Sequence, residues 1–491
     1  MAIELPRVIT LNHKESAQYW GNLDPNMRYQ YGGRPNQFGH PVSIPVSLAH
    51  EIHGAASATL KVVKEKINSK NGLTSFMDGR SPVFGPHHLN DELINRQLES
   101  RLEKGFELPI IYDVILTDLR GLPTLRVVEL QSGIAYTAEH LGLLKAAGFD
   151  AEDPRVWYGP ENPLSVMNRT KQEIAFGGNI TVMDTNPFGG TFAEQVGMSK
   201  ILGEQDSLPI SVLDVDRDAK GYFHYKYAVD PLTFGPVKNE SGEGYKKTDE
   251  KVRIEHVMAR MTQPDLDRLF SLVSGDIEKE ELIKKFLMDN SVNWVWHPNW
   301  QYIISKDTLP LVRKSLIAEG SKFADHYVPV FEAGELVEPG TYIKKPTNAV
   351  SGMGQSEIVV SDSEKILVED EYVYQQKFIP YPLKIEGPTH ITDSFIVPDN
   401  ADGLLKEQFG KGRCATPGTL ELRYMPTPYG KESLSGWFLA RLAPRWNTST
   451  DAQSYTQTNL GKIMDAMYAT GEVNEKNFQE YPFGWCPVIV E

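Results

Sequence analysis

Apolar residues recur at helical spacing between Ser43 and Ile67, at Leu48, Ile52, Ala56, Leu60, Val63 and Ile67, and this predicts a helix. A second helix is predicted over Asn90 to Lys104. The period then shortens. Leu108 to Leu119 and Thr124 to Ser132 read as two strands, and the Arg120-Gly121-Leu122-Pro123 turn between them predicts a hairpin. Asn179 to Asp184 reads as a buried strand, followed by Thr185-Asn186-Pro187-Phe188-Gly189-Gly190, a helix from Thr191 and a strand from Ile210 to Asp214. Strand, glycine-rich turn, helix and strand in that order form a βαβ pattern. The stretch from Lys238 to Lys251, rich in Gly, Lys and Glu, is expected to be an exposed loop. From Asn293 the composition changes: Trp294, Trp296 and Trp300 cluster and strands resume.

The hairpin carries the clearest chemistry. With an odd number of loop residues, Asp113 lies opposite Glu129, with Gln131 on the same face and Ile115 and Val127 forming its apolar end. Two facing carboxylates repel unless a cation lies between them, and magnesium, which takes oxygen ligands, suits that role. With an even loop the two carboxylates point to opposite faces and are ordinary solvated side chains.

Further on, YIKKPTNAVSGMG (Tyr342 to Gly354) brings a strand lysine to a loop with Gly352 and Gly354. A lysine neutralises phosphate, and glycine lets backbone N–H groups approach it. Adjacent strand residues point to opposite sides, so only one of Lys344 and Lys345 can face a ligand. EYVYQQKFIP (Glu371 to Pro380) alternates as a strand that ends at a proline, and such a strand at a domain junction can bind adenine through its backbone. HEIHG (His50 to Gly54) has histidines at i and i+3, not the i and i+4 of a zinc protease helix, and the histidines of Gly-Pro-His-His at 85–88 read as loop residues.

Composition narrows the class. The chain has 491 residues, 40% hydrophobic and 23% charged, with 40 Gly and 32 Pro, which is globular and leaves room for two to four domains. No apolar run approaches the ~18 residues of a membrane span, and Met1 to Lys14 lacks a signal-peptide pattern, so a cytoplasmic location is expected. Cys414 and Cys486 are too few and too far apart for a disulfide framework or a zinc site. A formal charge of −15 argues against nucleic-acid and anionic-membrane partners, though not against a local phosphate pocket.

Taken in order, these segments resemble circularly permuted ATP-grasp ligases. HPNWQYIISKDTLPL (His297 to Leu311), YIKKPTNAVSGMG and EYVYQQKFIP resemble successive motifs of glutathionylspermidine synthetases. ELQSG (Glu129 to Gly133), preceded by Asp113 on the partner strand, resembles their metal strand, in the early position also found in eukaryotic glutathione synthetase. ELRYM (Glu421 to Met425) and SGWFLARLAP (Ser435 to Pro444) resemble the closing segments of the permuted fold, and a polar NTSTDAQS follows from Asn447. The resemblance covers roughly residues 107–135 and 293–455.

It implies an α+β ATP-grasp fold of the permuted, glutathione-synthetase-like kind with an inserted α/β substrate domain. The expected units are an N-terminal helical segment (1–105), part of the core with the metal hairpin (106–159), the substrate domain (160–290), a nucleotide-clasping subdomain (291–410) and a return to the core (411–491). Lys306 and Lys345 would contact ATP phosphates beneath Gly352 and Gly354. Gln376, Lys377 and Phe378 would form the adenine hinge, and Asp113, Glu129 and Gln131 would hold Mg2+. Arg423 and Arg441 would stabilise charge on the transferring phosphoryl group.

The implied activity is an ATP-dependent carboxylate–amine ligase, acting on a small-molecule or peptide carboxylate and an amine through an acyl phosphate. A degenerate ATP-binding scaffold and a phosphotransferase on the same fold are the alternatives. The chain departs from the family where Val350-Ser351-Gly352 replaces a loop glutamate, where Ile111 replaces an arginine and where Gln131 replaces an asparagine.

Overall fold

The computed structural model describes residues 4–9, 11, 13–22, 40–69, 72–78, 91–120, 122–132, 137–187, 192–203, 208–230, 236–241, 244–261, 263–347, 355–378, 381, 395–396, 414–415, 417–427, 434–444 and 484–491. Gly352 and Gly354, the glycines at 189 and 190, the histidines at 87 and 88 and the 447–454 stretch lie outside them. Among the described residues the chain is a mixed α/β protein, and no helix is long and apolar enough to cross a membrane.

Three sheets matter for the site. The largest has eight strands, in the order Arg7–Val8, Val42–Ile44, Gly484–Val490, Gly436–Pro444, Pro417–Pro426, Ile110–Leu119 and Leu122–Ser132, with Trp157–Tyr158 paired to Gly436–Pro444. Its pairings are antiparallel except that Val42–Ile44 runs parallel to Gly484–Val490. One face is apolar and packs on the helix Val46–Ser69, where the Tyr112 hydroxyl donates to the Ala56 carbonyl at 3.0 Å. His53 of that helix lies 3.1 Å from the Tyr424 hydroxyl and His50 lies 2.9 Å from that of Tyr158, so both histidines of HEIHG are tied to tyrosines. The helix begins after Pro45, later than its pattern suggested, because Ser43 belongs to an edge strand.

The predicted hairpin is present, but its register arises in an unexpected way. Leu119 pairs with Leu122, so the loop spans the two positions 120 and 121 and is even. Val114 pairs with Val127 and Asp113 with Glu129, which leaves Val128 as an extra residue in one strand. This β-bulge shifts the register by one and restores the facing carboxylates that an even loop would have separated. Beyond the bulge Ile115 faces Arg126, not Val127, so that end of the face is less apolar than expected.

The second sheet is parallel, in the order Asn293–Trp296, His256–Ala259, Ile180–Asp184, Ile210–Ser211. The helix Phe192–Leu202 links its last two strands, as the βαβ pattern predicted. Asn293–Trp296, where the composition changes, is the outer strand of this sheet. Trp294, Trp296 and Trp300 are buried in the main core, and Arg101 from the helix Glu92–Glu103 donates to the Trp294 and Val295 carbonyls. Part of the expected loop at Lys238 to Lys251 is instead a strand, Lys247–Arg253, paired with Gly221–Tyr227. Its side chains are almost all exposed, which explains its loop-like composition.

The third sheet is antiparallel, in the order Val330–Phe331, Tyr372–Gln376, Gly340–Pro346, Ser356–Val360. It has a small core of its own around Val337, Tyr342, Val360, Val368 and Tyr374.

Candidate functional site

The polar face of the large sheet is built by alternation. Residues two apart on one strand share a face, so Glu421 and Arg423 point together, Arg423 opposite Asp113 and Glu421 opposite Arg441. Arg423 donates through Nε to Asp113 Oδ1 at 2.6 Å and through a terminal nitrogen to Oδ2 at 2.9 Å, a bidentate pair. Gln131 adds a bond from its amide nitrogen to Asp113 Oδ2 at 2.6 Å. Arg441 donates to Glu421, and both guanidinium groups lie over the Trp485 ring, at 5.2 Å for Arg423 and 5.3 Å for Arg441. The Arg423 and Arg441 side chains are only 5% and 8% exposed. Burial raises the Glu421 pKa against the pull of Arg441.

Across from this face stand two lysines. The turn at Pro298–Ile304 is fixed by His297, whose Nδ1 accepts from the Asn299 N–H at 3.1 Å, and it leads directly to Lys306. Lys345 comes from the strand Gly340–Pro346. Burial holds both ammonium groups below the usual lysine range. Glu129 opposes this for each, and Lys306 adds to it for Lys345. Lys345 also feels the charges of Asp113 and Glu421, and the gap between the two lysines and the polar face of the sheet is the candidate cleft. Lys345 retains partial exposure although its ammonium is crowded by protein, and no ion pair or hydrogen bond holds it among the described residues. Lys344 points away, pairs with Glu369 and lies 3.9 Å above the Tyr372 ring.

Most of the expected site residues have protein partners of their own. Arg423 and Arg441 are committed to Asp113 and Glu421, so they reach no ligand while those pairs persist. Asp113 has both oxygens engaged by a guanidinium and an amide and is not placed as a metal ligand. Of the adenine hinge, the Gln376 N–H donates to the Pro329 carbonyl at 2.8 Å and the Lys377 N–H to the Thr341 carbonyl at 2.9 Å. The Lys377 ammonium pairs with Glu357 at 3.0 Å. The backbone N–H groups of Gln376 and Lys377 are therefore occupied. Phe378 follows at the exit of the strand, half-buried, and shortly beyond it the Tyr381 N–H donates to the Leu116 carbonyl of the hairpin at 2.8 Å.

The fit to magnesium can be tested on the donors themselves. Among the described residues, the carboxylates of Asp113, Glu129 and Glu421 share this region with the cations Lys306, Lys345, Arg423 and Arg441. Asp113 is closed by Arg423 and Gln131, Glu421 has one oxygen on Arg441 and the other buried without a hydrogen-bond partner among the described residues, and Glu129 is in the field of two lysines. Magnesium takes oxygen ligands in near-octahedral geometry at ~2.0–2.1 Å. These residues do not fit a preformed magnesium site.

Sequence reasoning assigned no role to Glu421 or Trp485. Glu421 had a signal, since it alternates with Arg423 in an otherwise apolar strand. Trp485 had none, because its place under the arginines depends on pairing with a distant strand.

A second constellation lies at the carboxyl ends of the parallel sheet, between the Ile180–Asp184 and His256–Ala259 strands. The strand that follows Ile180–Asp184 in sequence lies on its other side, so the chain reverses direction across the sheet here, and such a point forms a ligand crevice. Asp184 accepts from the Thr185 N–H at 2.6 Å and the Gln195 amide at 2.6 Å. Burial raises its pKa, and Arg260 at the end of the next strand opposes this. Arg260 also faces the buried Glu194, and one of its terminal nitrogens is buried without a hydrogen-bond partner among the described residues.

No family model matches the chain, and no curated protein matches it. Among solved structures, it is similar to an apo glutathione synthetase-like effector from Globodera pallida. The TM-score is 0.44 and the identity 13%, over 89% of this chain and 94% of that one.

Proposed function

We propose that the chain is an ATP-dependent carboxylate–amine ligase of ATP-grasp type. The observation that carries this reading is Lys345, a desolvated ammonium that faces the cleft beside Lys306 and is held by no ion pair among the described residues. A desolvated cation offset only by the field of Glu129, Asp113 and Glu421 is costly in the free protein and favours binding once a phosphate arrives.

In this reading Lys306 and Lys345 position the β- and γ-phosphates. The strand exit at Gln376, Lys377 and Phe378 meets the base, and the Arg260 crevice takes the anionic end of the acid. A carboxylate oxygen of the acid attacks the γ-phosphorus, the bond to the β,γ-bridging oxygen breaks, and ADP leaves with its electron pair. The amine then attacks the acyl carbon, phosphate departs with the C–O electrons, and the ammonium intermediate gives up a proton to leave the amide. Positioning and cationic surroundings do most of the work of such a transfer. Arg423 and Arg441 contribute to the field of the cleft floor without touching the phosphate.

A second reading, ATP binding without turnover, is favoured by one observation: both arginines expected to reach the transferring group are locked to carboxylates. The deciding experiment supplies ATP with a panel of acids and amines and follows ADP, free phosphate and amide mass together. Stoichiometric amide, ADP and phosphate support the ligase. A stable phosphorylated product points to a phosphotransferase. ATP binding without turnover across the panel supports the second reading.

A further inference from the structure

The geometry points to a cleft that takes up its nucleoside triphosphate without a resident divalent cation. Asp113 and Glu421 act as internal counter-ions, and Lys306 and Lys345 neutralise the phosphates. This rests on the nucleotide reading above and goes beyond it by assigning the charge balance of the site.

The argument begins with Asp113. Each of its oxygens accepts from Arg423, and Oδ2 accepts a further bond from Gln131. A metal entering here would displace a bidentate guanidinium and leave Arg423, 5% exposed, as a buried uncompensated charge. Glu421 has one oxygen on Arg441, and its other oxygen lies 3.9 Å from Arg423, within that cation's field though beyond hydrogen-bond distance. Glu129 remains, facing Asp113 across the hairpin and offset by both lysines. Among the described residues, each of these three carboxylates meets at least one cation, so a divalent cation would enter against positive charge. In a chain of net charge −15, this local gathering of Lys306, Lys345, Arg423 and Arg441 favours an anion.

Glu129 then has a role opposite to that of a metal ligand. In the free protein it lowers the cost of two neighbouring lysines, and on binding it repels the incoming phosphates. Removing its charge strengthens nucleotide binding in the absence of metal, whereas removing a metal ligand weakens it.

The test is calorimetric titration of the full chain with ATP, once in EDTA and once with magnesium. A parallel titration uses Mn2+ alone, with free Mn2+ followed by electron paramagnetic resonance. The proposal expects ATP to bind in EDTA with an affinity within roughly threefold of that in magnesium, and no Mn2+ binding to the free protein. It expects Glu129→Gln, an isosteric change at a half-exposed position, to tighten ATP binding in EDTA by about threefold or more. ATP binding that appears only with magnesium, stoichiometric Mn2+ uptake by the free chain, or weaker binding by E129Q in EDTA would each overturn the metal-free assignment while leaving nucleotide binding intact. Absence of ATP binding under both conditions would overturn the nucleotide reading and this inference with it.

Discussion

The two walls of the cleft carry similar charge and use it differently. On the sheet wall, Arg423 and Arg441 are buried, each is bonded to a carboxylate, and both lie on one indole ring. On the opposite wall Lys345 is desolvated and held by no ion pair among the described residues, and Lys306, also desolvated, is in the field of Glu129. A guanidinium suits the first setting because its planar fork satisfies a carboxylate bidentately. An ammonium suits the second because its point charge and flexible stem can follow a phosphate. The sheet wall is therefore fixed structure, and under the proposed function the lysine wall is the part that meets the phosphates.

The largest expected effect tests the sheet wall. Arg423→Ala leaves Asp113 as a buried unpaired carboxylate and is expected to lower stability by about 3–5 kcal/mol, measured by chemical denaturation. A loss below about 1 kcal/mol would mean that the pair is not structural, and the contrast between the walls would fail.

Lys345→Ala is expected to act in the reverse sense. The free protein should be no less stable, since a desolvated charge is removed, while ATP affinity falls roughly tenfold to a hundredfold with the loss of a charge-assisted contact. Undiminished affinity in a folded variant would move the phosphate site elsewhere.

Acidity separates the walls a third way. Burial lowers the pKa of Lys345 and Lys306, so ATP binding should weaken with rising pH below the usual lysine value of about 10.4. For the free protein the sign is opposite. Between the lowered folded pKa and the unfolded one, the unfolded chain holds more protons, so these lysines make stability rise with pH. The guanidiniums stay charged throughout. ATP affinity that stayed flat through that alkaline range would contradict the desolvated lysines.

The smallest effect belongs to Lys344. It points to the other side, toward Glu369 and Tyr372, so Lys344→Ala should leave ATP affinity unchanged in the same titration. A loss as large as that of Lys345→Ala would reverse the assigned strand face.

Much of this arrangement was legible locally. The helical period from Leu48 to Ile67, the hairpin and the βαβ unit at 180–211 all formed, because each buries an apolar face that repeats with its own period. The Lys247–Arg253 strand was missed because its exposed side chains give no such signal. Alternation also showed that only one of Lys344 and Lys345 could face a ligand, and the two do point apart, Lys344 toward Glu369 and Tyr372.

The sequence by itself determined which residue types stand on which strands, including acid, amide and lysine in order along the cleft. Tertiary structure decided their partners. The bulge at Val128, not the loop, set Asp113 against Glu129, and a bulge leaves no period in the pattern around it. Arg423, 310 residues further along the chain, then bonded both oxygens of Asp113. A side chain's type is local, but the charge it meets in a buried site depends on which strands lie side by side. Strand adjacency is set by long-range packing, and no short stretch of sequence encodes it.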